Sequence, residues 1–123
     1  MGQNISGIAN VCIGYNAGSG IKIGNNNVAI GYDSYWDGGL GGTASGDQNT
    51  AVGALALFNS TGANLFNNTA IGFEAAQSYA GSGGLFLGAF AGAYEDATNN
   101  LLILDSFLVD TNNQMLFLVL NHI

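Results

Sequence analysis

The sequence predicts an all-β protein, a parallel β-roll or β-solenoid of about five coils. A short motif recurs around the glycines at positions 14, 31, 53, 72 and 88, so successive copies are 17, 22, 19 and 16 residues apart. Bulky and small residues alternate within each copy with a period of two, which is the period of a β-strand. A constant core at variable spacing indicates strands joined by loops of different length, as in stacked-coil proteins.

The alternation divides each strand into a bulky face and a small face. In the fourth copy, Thr69 and Ile71 are bulky, whereas Ala70 and Gly72 are small. The bulky class also includes Val28, Ile30 and Val52, and the small class includes Ala29, Gly31, Ala51 and Gly53. We expect the bulky face to fill the roll. We expect the small face to meet a neighbouring sheet or chain, because glycine within a strand often marks a close backbone approach.

The coils are predicted to start near Asn10, Asn27, Asn49, Asn68 and Gly84, four residues before each anchor glycine. Asn and Gly both tolerate left-handed backbone, so we expect this position to be the corner where each coil turns into its strand. The segment 21–24 also alternates bulky and small residues and is predicted as a return strand.

The pattern changes near residue 100, which divides the chain into a repeat domain at 1–100 and a terminal region at 101–123. Two apolar runs, 101–105 and 115–120, surround a turn-prone stretch at 110–114. Each run is too short to span a bilayer, which takes about 20 apolar residues. We expect a C-terminal hairpin or cap, or the start of a further module.

The composition indicates a surface that is covered by copies of the same chain. Hydrophobic residues make up 48% of the 123 residues, and charged residues only 7%. The net charge is −7, with one Lys and no Arg, so binding to nucleic acid or insertion into a membrane is not expected. Three associated chains would carry 3 × −7 = −21, which favours solubility.

No catalytic or metal-binding constellation is present in the sequence, so we expect neither an enzyme nor a cofactor. His122 is the only histidine and lies one residue from the chain end. The carboxylates are scattered, and Glu95–Asp96 is their only adjacent pair. Cys12 occupies a position that is Ala in three other copies, which is typical of a small buried residue.

A group of aromatic and acidic residues begins the longest excursion between copies. It consists of Tyr32, Asp33, Tyr35, Trp36 and Asp37. Aromatic faces with nearby carboxylates can hold a sugar ring by stacking and by accepting hydrogen bonds from its hydroxyls. The alternative is that these rings cap the roll or pack on an adjacent chain.

The tract Asn-(Thr/Val)-Ala-(Ile/Val)-Gly, as at 49–53 and 68–72, resembles the head repeats of trimeric autotransporter adhesins, the YadA-like head. It is most similar to the form of these repeats found in phage and prophage tail fibres. The resemblance covers about residues 4–105 and implies a left-handed parallel β-roll that packs side by side as a homotrimer. The coils here are longer than those of the adhesin heads, and the adhesin neck and membrane anchor are absent.

These observations predict a structural and adhesive segment of a trimeric fibre, located in a virion tail fibre or at a cell surface. Its loops would bind a host glycan or protein receptor, and three weak sites on one stalk would gain avidity. An ice-binding or other surface-binding solenoid is the alternative, based on Thr50 and Thr69, which we expect to stack in register.

Overall fold

The protein forms a parallel β-solenoid built from short strands that stack in chain order. The computed structural model describes residues 7–19, 21–36, 46–59, 65–93, 95 and 102–103. It contains six strands in one sheet, in the order β1 to β6, and every neighbouring pair is parallel. The strands are β1 (Val11–Ile13), β2 (Val28–Ile30), β3 (Thr50–Val52), β4 (Thr69–Ile71), β5 (Leu85–Leu87) and β6 (Leu102–Ile103). No helix occurs in the described residues.

The register between strands follows the sequence repeat. Cys12 pairs with Ala29, Ala29 with Ala51, and Ala51 with Ala70. Thr50 pairs with Thr69, as expected from their equivalent positions. The motif therefore marks the stacked element, and the all-β solenoid that it predicts is confirmed.

The two faces of the sheet have the reverse of the predicted orientation. Ala29, Ala51 and Ala70 are fully buried, whereas the flanking bulky residues are half-buried or exposed. At the first strand, Val11 is 47% and Ile13 58% exposed. The prediction that branched residues fill the roll is wrong, because strands β1 to β4 turn their small side chain inward and their bulky side chains outward.

Larger side chains from the loops fill the interior that the small strand residues leave open. Tyr35, Leu57, Leu65 and Tyr79 are all buried against the alanine positions. In β5 the inward position is Phe86 instead of alanine, and its ring contacts Tyr79 edge-on at 4.7 Å between centroids. Large loop side chains thus pack against small strand residues in most coils, and two rings pack against each other at β5.

The anchor glycines form a column in which the backbones of successive coils nearly touch. Gly31 and Gly53 have φ of 134° and 131°, a backbone region that residues with a side chain rarely adopt. A Cβ on Gly53 would lie 2.4 Å from the carbonyl oxygen of Gly72, and one on Gly72 would lie 2.3 Å from that of Gly88. The close backbone approach indicated by the sequence is present, but the approaching backbone is the next coil of the same chain.

The repeated asparagines form a ladder that connects each coil to the next. The Oδ1 atom of Asn27 accepts the backbone N–H of Asn49 at 2.8 Å, and Oδ1 of Asn49 accepts that of Asn68 at 3.0 Å. Each side-chain amide also donates to the carbonyl three residues before the next ladder position, such as Asn27 Nδ2 to Gly46 O at 2.7 Å. Buried polar groups need such partners, so the ladder holds neighbouring coils in register.

The left-handed corner lies one residue before each of these asparagines, not at the asparagine. The residues with positive φ there are Ala9, Asn26, Gln48, Asn67 and Gly83, with φ between 57° and 70°. An inter-coil hydrogen bond restrains this backbone, such as Asn26 N–H to Ile8 O at 3.0 Å. The asparagines are therefore required for hydrogen bonding between coils.

Two further predictions concern segments outside the five motif strands. Residues 21–24 form no strand, although Ile21 is buried in the core. The sheet extends to Leu102–Ile103, which pairs in parallel with β5. Of the terminal region predicted at 101–123, only these two residues are described, so the predicted hairpin or cap lies outside the described residues.

Replacing Asn49 by Ala is expected to destabilise the fold by roughly 3 kcal/mol. The substitution removes the acceptor for the Asn68 N–H and the donor to the Leu65 carbonyl, both in a buried position. Urea unfolding followed by circular dichroism measures the change. Asn67→Gly is the control, because Asn67 is exposed with φ of 60° and glycine adopts that backbone without strain. Equal stability of N49A and the parent would contradict a structural ladder.

Candidate functional site

The outward side of the sheet carries two columns of side chains, one from each end of the strands. We call this surface the strand face. Its first column is Val11, Val28, Thr50, Thr69 and Leu85, and its second is Ile13, Ile30, Val52, Ile71 and Leu87. Eight of these ten residues are apolar and none is charged. Parallel sheets normally have both faces covered, so the strand face is suited to packing against another surface.

The positions directly after the anchor glycines form a further outward column, and three of the five carry an aromatic ring. We call this the ring column, and its positions are Tyr15, Tyr32, Ala54, Phe73 and Ala89. The backbone holds these positions above one another, since Leu55 N–H donates to Tyr32 O and Glu74 N–H donates to Ala54 O, both at 2.9 Å. Tyr15 and Tyr32 stack with centroids 5.5 Å apart and planes 11° apart. Phe73 instead meets Phe90 edge-on at 5.3 Å.

The ring column is accessible and has acidic neighbours. Tyr15 is 68% and Tyr32 55% exposed, and Phe73 is also exposed. Asp33 follows Tyr32, and its negative charge is the main reason why the pKa of the Tyr32 hydroxyl lies above its ordinary value. Oδ1 of Asp33 is screened from solvent and has no hydrogen-bond partner among the described residues. Because this oxygen is screened from solvent, it is not an acceptor position open to a ligand, and any contact with a ligand would have to use the other oxygen of the carboxylate.

The structure divides the described residues of the predicted sugar site between the surface and the core. Tyr32 and Asp33 lie together at the surface, but Tyr35 is buried and its hydroxyl accepts a hydrogen bond from Asn49 Nδ2 at 3.1 Å. Tyr35 is thus a core residue, which corrects the prediction that it contacts a ligand. Trp36 is half-buried and stacks on Phe58 at 4.8 Å. Asp37 lies outside the described residues.

Tyr15, Phe73 and Phe90 belong to this surface, although the sequence argument did not select them. For Tyr15 and Phe73 the signal is the position directly after the anchor glycine, which becomes visible only when the copies are aligned on that glycine, and Phe90 lies one position further on. The predicted packing residues divide between two environments. Ala29, Ala51 and Ala70 lie inside the coil, Gly31, Gly53 and Gly72 contact the next coil, and Val28, Ile30, Val52 and Ile71 lie on the strand face.

The described residues contain no group of three or more His, Cys, Asp or Glu side chains placed to hold a metal ion. Burial raises the pKa of the Cys12 thiol, since its side chain packs against the core. No helix in the described part of the chain could cross a membrane.

Comparisons of the chain with protein-family models, with curated proteins and with solved structures found no match.

Replacing Asp33 by Asn is expected to lower the pKa of Tyr32 toward its ordinary value of about 10. In the parent, the Asp33 charge disfavours the tyrosinate, so Tyr32 stays protonated to a higher pH. An alkaline titration followed by the ring signals in NMR measures this pKa. Gln77→Ala, which lies in another loop, is the control and leaves the pKa unchanged. A Tyr32 pKa that does not fall in D33N would contradict the placement of the carboxylate beside the hydroxyl.

Proposed function

We propose that this chain is a structural and adhesive segment of a trimeric fibre, whose copies pack through the strand face and bind a host receptor through outward loops. The observation that carries the proposal is the strand face, a regular apolar surface with no charged side chain. The resemblance to tail-fibre repeats supplies the three-fold, side-by-side arrangement and the left-handed coil. The terminal region would then contain the cap or the next module.

Exposure along the strand face supports an interface between copies. Its branched side chains lie in register, because each strand pairs residue for residue with the next. A flat surface of this kind packs well against another of the same shape, and removal of apolar area from water favours the association. A chain with 7% charged residues has few other means of staying soluble with this face uncovered.

Receptor binding is assigned to the surface outside the strand face. In a trimer, three copies of the exposed tyrosines would be held at fixed positions on one rigid stalk. Because the three sites are linked, binding at one site raises the effective concentration of the receptor at the other two, so the overall affinity exceeds that of a single site. The receptor class proposed is a glycan, because exposed aromatic rings with carboxylates nearby match the apolar faces and the hydroxyls of sugars. The segment would lie in a virion tail fibre or at a cell surface.

A surface-binding solenoid, such as an ice-binding protein, is the second candidate. One observation favours it: the column with Thr50 and Thr69 faces outward, not into the roll. Ice-binding faces need a regular outward array, and this column provides the spacing of a parallel sheet. Its other positions are Val11, Val28 and Leu85, so threonine occupies only two of five rungs. A monomer that causes thermal hysteresis would identify this function.

The parent chain is expected to have a solution mass of three chains, and Ile30→Lys is expected to reduce it to one. Ile30 lies on the strand face, where a lysine would put a charge into the interface of every copy. Multi-angle light scattering at several dilutions measures the mass. Ser78→Lys adds the same charge at an exposed loop position and should leave the trimer intact. A monodisperse parent monomer would contradict the trimeric fibre.

A further inference from the structure

The ring column contains a gap one coil high, between Tyr32 and Phe73. Its middle position is Ala54, which has no ring, and Ala54 is half-buried. Tyr32 and Phe73 lie two coils apart, so their levels are separated by roughly 9.6 Å, twice the strand spacing of about 4.8 Å. Tyr15 covers the other side of Tyr32, and Phe90 meets Phe73 edge-on.

This spacing suits a single ring. Rings in contact have centroids about 4.5–7 Å apart, so one ring that touches both walls needs walls at least about 9 Å apart. The floor of the gap is the position of Ala54, and its two walls are the rings of Tyr32 and Phe73. The gap can therefore hold one saturated six-membered ring with its C–H faces against Tyr32 and Phe73.

An acidic residue follows each wall residue in the chain. Asp33 follows Tyr32 and Glu74 follows Phe73, and both residues have left-handed backbone, with φ of 47° and 54°. Their equivalent in the middle coil is Leu55, so the two acidic groups lie at the levels of the walls and not at that of the floor. Carboxylates accept hydrogen bonds and cannot donate them when ionised. The occupant must supply donors at its rim.

A second copy of the chain is a poor occupant. It has no Arg, and Lys22 is its only cationic side chain, so it has little to pair with two carboxylates. A neutral pyranose presents hydroxyl donors around its rim and C–H groups on its faces, which matches both the carboxylates and the aromatic walls. A quaternary ammonium group would also be attracted to aromatic faces, but it lacks the hydroxyl donors.

We propose that the gap at Ala54, between Tyr32–Asp33 and Phe73–Glu74, binds one pyranose ring of the receptor glycan. This inference rests on the proposed receptor function and identifies its subsite. The sugar face stacks between the two rings, and its hydroxyls donate to Asp33 and Glu74.

Saturation-transfer NMR on the full chain tests the proposal with defined probes. The probes are methyl β-D-galactopyranoside, methyl α-D-glucopyranoside, methyl α-D-mannopyranoside and choline. At least one pyranoside is expected to receive saturation on its ring C–H protons. Ala54→Phe fills the gap and is expected to weaken that binding about tenfold or more. A loss of this size corresponds to at least one aromatic contact.

Ala89→Phe is the matched control. Position 89 is the next one in the ring column after Phe73, so this variant adds the same ring outside the gap. It should keep the affinity within about twofold of the parent. Light scattering on the same samples reports the oligomeric state, so loss of the trimer and loss of sugar binding are read separately.

Four results would overturn the proposal. The first is that none of the pyranosides receives saturation, and the second is that A54F binds the sugar as well as the parent does. The third is that A54F and A89F lose sugar affinity equally, and the fourth is that choline binds in preference to the sugars. If any of these occurs while the mass remains that of a trimer, the fibre function stands and the Ala54 subsite falls. If the mass is that of a monomer and A54F alone loses the sugar, the subsite stands without the fibre.

Discussion

The close approach of successive coils at the anchor glycines is the constraint on which the rest of the structure depends. A Cβ at Gly14, Gly31, Gly53 or Gly72 would lie between 2.3 and 2.6 Å from the backbone of the following anchor glycine. The coils therefore stack without an offset at this point of every turn. Loops of different length can be inserted between strands, because only the stacked positions have to coincide.

The filling of the interior explains the inward and outward faces. Large side chains from the loops occupy it, namely Tyr35, Leu57, Leu65 and Tyr79, so the strand residue that points inward is small in most coils. Branched side chains are left on the outside, where they form a regular apolar surface. The interior supports folding, and the exterior is available for assembly and recognition. In this way one repeat serves both the stability and the proposed function of the chain.

Part of this arrangement was predictable from the sequence. The period of two and the repeated glycines indicate parallel strands in register, and Thr50 does pair with Thr69. Alternation alone does not say which face is inside. The prediction that the branched residues are buried was wrong, because large side chains from the loops fill the interior instead. Tyr35 was misjudged for a related reason, since the alanines opposite leave room for its ring, and no local pattern shows this.

The candidate surface was even less accessible to sequence reasoning. Tyr32 and Asp33 were selected as neighbours in the chain, whereas Tyr15 and Phe73 join them only through stacking of coils that are 17 residues or more apart. The asparagines were recognised as a repeated feature, but their inter-coil hydrogen bonds depend on the same stacking. Contacts between coils are thus the part of the structure that a single copy of the motif cannot reveal.

The most direct test of the central claim compares leucine at an inward position with leucine at the adjacent outward position. Ala51 is fully buried, whereas Val52 is on the strand face. Thermal unfolding by circular dichroism should show Ala51→Leu severely destabilised, because its added volume has no space, and Val52→Leu close to the parent. If Ala51→Leu folds like the parent and Val52→Leu is the destabilised variant, the small residues are not inside the coil and this account is wrong.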